Sequence, residues 1–205
     1  LAMAGAKPEG SVKVENLPVE TILAFAPPQQ ADLIREVIGK SLSADVSTSI
    51  IEAGLKTELS ARSDAVTATI SMIGRNDAAK SMQFDKTIID ATVTPALAAL
   101  LQRDSASPVV LGAPAKVHLD LRPILLPMGA VADVLSSPLG GKIELRDALI
   151  NKAPGIADSM AIPSLDADVT IVRKGNVLTA DIASGSAIVK RGEAKVDVAR
   201  MTING

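Results

Sequence analysis

The sequence predicts an α+β fold: a strongly twisted, curved antiparallel sheet with a few short helices, in two similar halves. Segments that alternate apolar and polar residues recur along the chain, and this period of two is typical of strands with one buried face. Turn clusters such as Ser63-Asp64 separate these segments, so consecutive strands are expected to pair antiparallel. Helical spacing is confined to short stretches bounded by proline or glycine, which predicts few helices.

The composition indicates a globular chain with an aliphatic interior. Of 205 residues, 47% are hydrophobic and 21% are charged, but the chain has 2 Phe and no Trp or Tyr. Aliphatic side chains fill a core but cannot stack on nucleobases. The formal net charge is −2 and Lys and Arg form no cluster, so the chain lacks the electrostatic footprint of a nucleic-acid-binding protein. We therefore expect no nucleic-acid partner.

The absence of cysteine and of a long apolar stretch limits which classes of protein remain. The chain has no Cys, which excludes disulfides and thiolate chemistry. No apolar stretch reaches the roughly 18–20 residues that are needed to cross a bilayer. The first residue is Leu1 and not Met, so we expect a segment of a longer protein whose targeting and anchoring elements lie elsewhere.

The first unit, residues 1–110, is expected to contain a strand, then short helices, and then a meander of consecutive antiparallel strands. Proline lacks the amide that a strand ladder requires, so Leu17-Pro18 ends a first strand. A helical turn over Val19–Phe25 and a helix over Ala31–Gly39 follow, the latter stopped by its terminal glycine. The strands of the meander are expected over Ser41–Ser49, Ile51–Ala61, Ala65–Ile73 and Phe84–Val93.

Thr94-Pro95 gives the strongest local signal in the chain. Threonine accepts a hydrogen bond from an unpaired amide of a first helical turn, and proline fits where no donor is needed. The dipeptide therefore predicts a helix over Ala96–Arg103.

The second unit, residues 111–205, repeats this order. A strand over Lys116–Leu121 is followed by a helix over about Met128–Ser136, which Pro138 with Gly140-Gly141 is expected to stop. Ser184-Gly185-Ser186 is interpreted as a hairpin turn. Strands are expected over Lys142–Ile150, Pro163–Arg173, Val177–Ser184, Ala187–Lys190 and Ala194–Ile203. The shared order predicts two copies of one unit, or one continuous domain if the two merge.

Candidate sites for chemistry are few. His118 is the only imidazole, and it alternates with Val117 and Leu119, so we expect it on the wetter face of its strand. One His leaves metal sites and nucleophilic triads without the partners they need. Asp166 and Asp168 share a strand face, which a solvated sheet surface explains more simply than an acid–base pair. We expect a non-enzymatic protein without catalytic residues, metal or cofactor, with a hydrolase using this aspartate pair as a minor alternative.

The predicted strands carry more apolar surface than the short helices could cover. A large uncovered apolar face usually marks a binding surface, and a curved trough of Val, Ile, Leu and Ala suits acyl chains. The residues expected to contact lipid are Leu165, Val169, Ile171, Leu178, Ile182, Val196 and Val198. If the sheet closes on itself, the same residues form an ordinary core. A different class, a structural or adhesive repeat module that binds protein partners through its sheet edges, is the alternative function.

Three segments resemble bacterial envelope proteins of the AsmA-like and TamB-like kind. They are Ile89–Leu101 with its Thr-Pro helix start, Leu17-Pro18-Val19, and Ser107-Pro108-Val109-Val110, together with the hairpin-rich ending. The resemblance implies a repeating β-rich groove in the periplasm or cell envelope, related to bridge-like proteins that move phospholipids between membranes. It also implies phospholipid acyl chains and neighbouring repeats of a longer parent chain as partners, and it supplies no catalytic residues. The chain departs from that family in showing no N-terminal membrane helix.

Overall fold

The structure, a computed structural model, describes residues 9–76, 81–103, 105, 108–127, 138–153, 159–174, 177–189, 192–196 and 199–204. These residues form one 13-stranded sheet that is curved and does not close on itself. The strands are β1 (Gly10–Pro18), β2 (Ser41–Ile51), β3 (Gly54–Arg62), β4 (Val66–Arg75), β5 (Ser81–Val93), β6 (Val110–Leu111), β7 (Ala115–Leu121), β8 (Ile124–Pro127), β9 (Leu139–Lys152), β10 (Met160–Lys174), β11 (Val177–Val189), β12 (Gly192–Val196) and β13 (Ala199–Asn204). The helices are α1 (Val19–Leu23), α2 (Ala31–Ile38) and α3 (Pro95–Leu101), with a 3-10 turn at Pro28–Gln30.

The strand order confirms the predicted antiparallel sheet. Neighbours across the sheet are β1-β2-β3-β4-β5-β7-β9-β10-β11-β12, and each described pairing is antiparallel. Besides β13, which lies beside β11, two short strands lie off this path, with β6 beside β9 and β8 beside β5. The sequence does not predict either of them, because both are too short for a period of two to be recognised.

The helices lie at one end of the first five strands. α1 and α2 connect β1 to β2, and α3 follows β5, so all three begin or end where these strands do. Gly39 ends α2 with a φ of 68°, a left-handed conformation that glycine adopts without steric cost. Thr94 Oγ1 accepts a hydrogen bond from the Leu97 amide at 3.0 Å, as predicted for a cap. The main contacts of the helices are with one another, with β1 and with β6, so they leave most of the sheet uncovered.

The prediction that Gly140-Gly141 stops a helix is wrong, because both glycines lie inside β9. Gly141 pairs with Leu121 of β7 and with Val169 of β10. A Cβ at Gly141 would lie 2.5 Å from the backbone oxygen of Asp120, which explains why glycine is required here. The expected helix over residues 128–136 lies outside the described residues.

The interpretation of Ser184-Gly185-Ser186 as a turn is also wrong. β11 continues through it, and Gly185 pairs with Ala167 of β10 and with Val196 of β12. The register between β10 and β11 shifts at Asp168 and Val169, next to this segment. Glycine within a strand often accompanies such a bulge, so it indicated irregular pairing here and not a chain reversal.

The segment predicted as one last strand is divided in two. β12 pairs with Gly185–Val189 and β13 pairs with Val177–Ile182, so both follow the same edge of β11. Elsewhere the sheet is continuous across residues 110 and 111, because β5 pairs with β7. The division into two similar units stays a prediction.

Few of the described side chains are buried. The buried hydrophobic residues are Val19, Ile73, Leu97, Ala98, Ala115, Ala148, Ile162 and Val169. Ala115, Ala148 and Ile162 form one cluster, and Leu145 and Leu165 pack against it. No large side chain is completely shut away from water within the part of the chain described, which is unusual for a sheet of this size.

Candidate functional site

One side of the sheet carries continuous apolar rows that run from strand to strand. The register aligns one row through eight neighbouring strands, β1 to β5 and then β7, β9 and β10. Its members are Val14, Ala44, Ala61, Ala68, Ile89, Leu119, Ile143 and Ala167. Residues opposite each other in antiparallel strands share a face, so these aliphatic side chains all lie on one side. We call this side the apolar face and this set the central row.

The rows on both sides of the central row are apolar as well. One consists of Val12, Val46, Leu59, Ile70, Thr87, Leu121, Gly141 and Val169. The other consists of Val66, Ala91, Val117, Leu145 and Leu165. Thr87 is the single residue in these three rows with a polar side chain. The apolar face is therefore a broad aliphatic surface without charges along these rows.

The apolar face remains partly open to water along β1 to β5. No apolar-face side chain of these five strands is buried, and Leu59, Ile70 and Ile89 are half-buried. Toward the edge and the strand ends, exposure rises, reaching 64% for Val12. Three neighbouring aliphatic rows that none of the three described helices covers, in a sheet that does not close on itself, form a larger apolar patch than isolated surface hydrophobics do.

The structure places most of the predicted lipid-contacting residues on this face. Leu165 and Val169 belong to the rows above, and the register adds Ile171, opposite Leu139, and Ile182, opposite Val169. Val169 is only 9% exposed, so it contributes to packing more than to an open surface. The register puts Leu178 and Val196 at positions of the same face, whereas Val198 lies outside the described residues.

The residues predicted to contact lipid do not include the larger share of the apolar face, which lies on β1 to β9. Its residues alternate as clearly as those of β10, so the signal that could have identified them was present. What the sequence could not supply was the strand register, which joins separate alternating segments into rows.

The other side of the sheet, the polar face, carries the charged residues. A row on this face contains Ser43, Arg62, Thr67, Asp90, His118, Glu144 and Asp166. His118 therefore lies on the wetter face, as predicted. Its Nδ1 donates to Asp90 Oδ1 at 2.7 Å, and this hydrogen bond, supported by the charges of Asp90, Glu144 and Asp120, raises the pKa of His118 despite its partial burial.

Asp166 and Asp168 are each held by a different arginine. Arg146 Nη2 donates to Asp166 Oδ1 at 2.7 Å and also to Glu144 Oε2 at 2.9 Å, and Arg122 bonds Asp168. The hydrogen bond to Asp166 raises the pKa of Arg146, so the guanidinium stays charged. This is the cross-strand charge pairing of a solvated sheet face. An acid–base role for the pair stays a prediction, which replacing both aspartates with Asn would test.

Shallow clefts open on the polar face and differ in chemistry from the apolar face. One of about 420 Å³ is lined by Arg62, Asp90, His118, Glu144 and Arg146 among others. Another, of about 430 Å³, is lined by hydroxyls and charges that include Asp45, Glu58 and Lys86. Charged walls favour water over an aliphatic ligand, so neither cleft suits an acyl chain.

The edge at β1 is poorly suited to adding a strand. Its register to β2 shifts between Val14 and Leu17, and Asn16 in that bulge has a φ of 52°. Lys13 Nζ pairs with Glu15 Oε1 at 2.6 Å, and Pro18 ends the strand. Bulges, charges and proline are the features that limit edge pairing. The alternative of a module that binds partners through its edges stays a prediction.

Within the described ranges, no group of three or more His, Cys, Asp or Glu is arranged to hold a metal ion. No described helix has the length and hydrophobicity that are required to span a bilayer. Comparisons of the chain with protein-family models, with curated proteins and with solved structures gave no significant match.

Proposed function

We propose that the chain is a non-enzymatic segment of a cell-envelope lipid-transfer or membrane-assembly protein, and that its apolar face holds acyl chains. The observation that carries this proposal is the central row: eight aliphatic residues in register across an unclosed sheet. The half-buried state of the face from β1 to β5 supports it, since those side chains can still gain from removal of water.

The dimensions of the face match its proposed ligand. Strands are spaced about 4.8 Å apart, so eight of them extend the central row over roughly 33 Å. A bilayer core is about 30 Å thick, so the chains of one leaflet span about 15 Å. The face is therefore long enough to hold an acyl chain along its whole length, with room for a second chain.

The composition of the face favours acyl chains over other apolar ligands. Burying a methylene contributes about 0.8 kcal/mol, and this gain requires no hydrogen bond or fixed orientation. The rows contain almost no donors or acceptors that would select a polar ligand, and no aromatic ring for stacking. Such a surface would hold lipids by partition and would allow a chain to slide along it.

The cellular setting of the proposal comes from the resemblance to AsmA-like and TamB-like proteins. The resemblance implies the periplasm or cell envelope as the location of the chain, and neighbouring repeats of a longer parent chain as the continuation of the groove. Phospholipids are then the expected cargo, and the parent chain is expected to supply membrane attachment.

Two adjacent isoleucines of β5 provide a matched test. Ile89 belongs to the central row, whereas Ile88 pairs with Thr69 and Asp120 and lies on the polar face; both side chains are half-buried. Ile89→Asn puts an amide into the path of the acyl chain, and we expect it to weaken binding of a fluorescent fatty acid by about tenfold or more. Ile88→Asn makes the same chemical change on the other face and should leave binding unchanged.

The titration uses both variants and the unaltered chain, with thermal unfolding recorded for each to show that they fold. Equal loss of binding in both variants would mean that the effect comes from general destabilisation. Absence of binding by the unaltered chain, over probe concentrations where other lipid-transfer proteins saturate, would contradict the proposal.

A further inference from the structure

The loop between α1 and α2 exposes an aromatic side chain almost completely to solvent. Phe25 is 88% exposed and is one of only two Phe residues in the chain. Its neighbours Ala24, Pro27 and Pro28 are exposed too, and no charged residue occurs from Thr21 to Gln30. An exposed loop is usually polar, so an uncharged apolar tip with an aromatic ring indicates a contact with an apolar medium.

Residues 24–28 of this loop leave no backbone N–H group unpaired. The amides of Ala24, Phe25 and Ala26 donate to the carbonyl oxygens of Glu20, Ile22 and Leu23, respectively, at 3.1 to 3.3 Å. Pro27 and Pro28 have no amide hydrogen. Five consecutive residues, 24–28, therefore present no unsatisfied N–H group. A backbone donor without a partner is costly in hydrocarbon, and this loop avoids that cost.

The position of the loop relates it to the apolar face. α1 directly follows Pro18 of β1, so the loop extends beyond the end of the strand that contributes Val12 and Val14 to that face. Leu101, which ends α3 at the same end of the strands, is also exposed. The rows finish at the edge strand β1, and the aromatic tip follows the end of that same strand.

We propose that residues 24–28, with Phe25 at their tip, dock on the surface of a lipid bilayer and bring the end of the apolar face to the membrane. The proposal rests on the proposed function and names the place where lipid enters or leaves. Phe is among the apolar side chains that interfacial segments bury at the boundary between headgroups and acyl chains, and a compact loop can bury one there without unfolding.

A bilayer fits the loop better than a protein partner does. A partner that recognises a loop usually bonds its backbone donors or its charges, and residues 24–28 offer neither. The surface of zwitterionic lipid requires neither, because it takes up apolar side chains by partition. Zwitterionic vesicles are therefore the appropriate probe.

The absence of Trp from the chain makes a direct experiment possible. Phe25→Trp introduces a single fluorophore at the loop tip, and Leu125→Trp introduces one at a residue of β8 that is 53% exposed and lies at the opposite end of β5. With phosphatidylcholine vesicles, we expect the emission of the Phe25→Trp protein to shift to shorter wavelength and to be quenched by lipid-borne bromine. The Leu125→Trp protein should show neither change.

The outcomes separate the candidate partners. A blue shift of the Phe25→Trp emission that appears without vesicles and grows with protein concentration would identify a second copy of the chain as the partner and overturn the proposal. No shift with vesicles, or an equal shift from both fluorophores, would overturn it as well.

A second pair of variants separates this proposal from the proposed function. Phe25→Ser should reduce vesicle co-sedimentation by about tenfold or more while binding of a soluble fluorescent fatty acid stays unchanged. Ile89→Asn should do the reverse. If Phe25→Ser leaves co-sedimentation unchanged, the proposal that the loop docks on a bilayer is wrong. If Phe25→Ser loses fatty-acid binding but not co-sedimentation, residues 24–28 are part of the acyl site instead.

Discussion

Two regions of the apolar face are built from the same alternating pattern but differ in packing. We call β1 to β5 the open side and β7, β9 and β10 the packed side. Along β2 to β4, no apolar-face residue is buried, and Leu59 and Ile70 stay half-open to water. Along β7, β9 and β10, Ala115, Ala148 and Ile162 form a buried cluster. The difference shows that alternation defines a face but does not determine whether anything covers it.

Two local features of the packed side lie directly at its buried cluster. The short strand β6 pairs with β9 and brings Leu111 against the cluster. Asp147 in β9 has a φ of 59°, and this left-handed residue breaks the alternation so that Leu145 and Ala148 both contact the same cluster. β6 and the break in alternation at Asp147 thus lie at this small core, whereas β8 and the left-handed Asn16, the comparable features of β1 to β5, are not part of it.

The largest expected effect on stability contrasts the two sides. Ile162→Ala removes a side chain that is only 6% exposed, and we expect it to lower the free energy of unfolding by about 2–3 kcal/mol. Ile70→Ala on the open side should cost about 1 kcal/mol, because much less apolar area is lost from the interior. Urea unfolding of both variants measures the difference. Equal costs would show that the two sides are packed alike.

A glycine substitution tests the close approach of strands on the packed side. Gly141→Ala places a Cβ 2.5 Å from the Asp120 oxygen, so β7 and β9 must move apart, and we expect a loss of about 1–3 kcal/mol. Gly10→Ala is the control, since a Cβ there has no neighbour within 4 Å. Thermal unfolding of both variants measures this loss. If Gly141→Ala is as stable as the unaltered chain, β7 and β9 can move apart without loss of stability.

The helical cap should affect stability but not the face. Thr94→Ala removes the bond to the Leu97 amide and the hydroxyl that donates to Glu36 Oε2 at 2.8 Å, and we expect a loss of about 1 kcal/mol. Fatty-acid binding should not change, because the helices pack mainly on one another. A parallel loss of binding in this variant would show that the helices form part of the site.

The smallest effect is expected at the seam between the two sides, where His118 of β7 meets Asp90 of β5. Hydrogen bonding to Asp90 raises the pKa of His118 above its ordinary value of about 6.5. The pair therefore stabilises the fold fully below pH 6.5, and this contribution is lost as pH rises through the pKa of the folded protein.

Because both side chains are partly exposed, the contribution is at most about 1 kcal/mol. The melting temperature of the unaltered chain should exceed that of His118→Gln by more at pH 5 than at pH 9. A difference that is constant with pH would show that the pair contributes nothing through its charge.

Much of the fold follows from local sequence signals. Leu17-Pro18, Gly39 and Thr94-Pro95 act through the nearest few residues, and their elements begin or end as predicted. Gly140-Gly141 and Ser184-Gly185-Ser186 were misinterpreted because their role depends on a neighbouring strand: a close approach in one case and a bulge in the other. Such causes lie far away in sequence and leave no local pattern.

The sequence indicates an uncovered apolar strand surface, but it does not indicate which residues form it. The surplus of apolar strand surface followed from counting alternating segments against short helices. The central row required the register, and the exposure of Phe25 required the path of the loop between α1 and α2. Neither can be obtained from periodicity.

The most direct test of the central claim is mass spectrometry of the complete chain, purified without detergent or organic solvent. We predict that phospholipid or fatty acid copurifies with the unaltered protein in near-stoichiometric amount, that Ile88→Asn retains it, and that Ile89→Asn loses most of it. A protein that is folded, monodisperse and free of lipid after expression in a cell with abundant phospholipid would contradict the account.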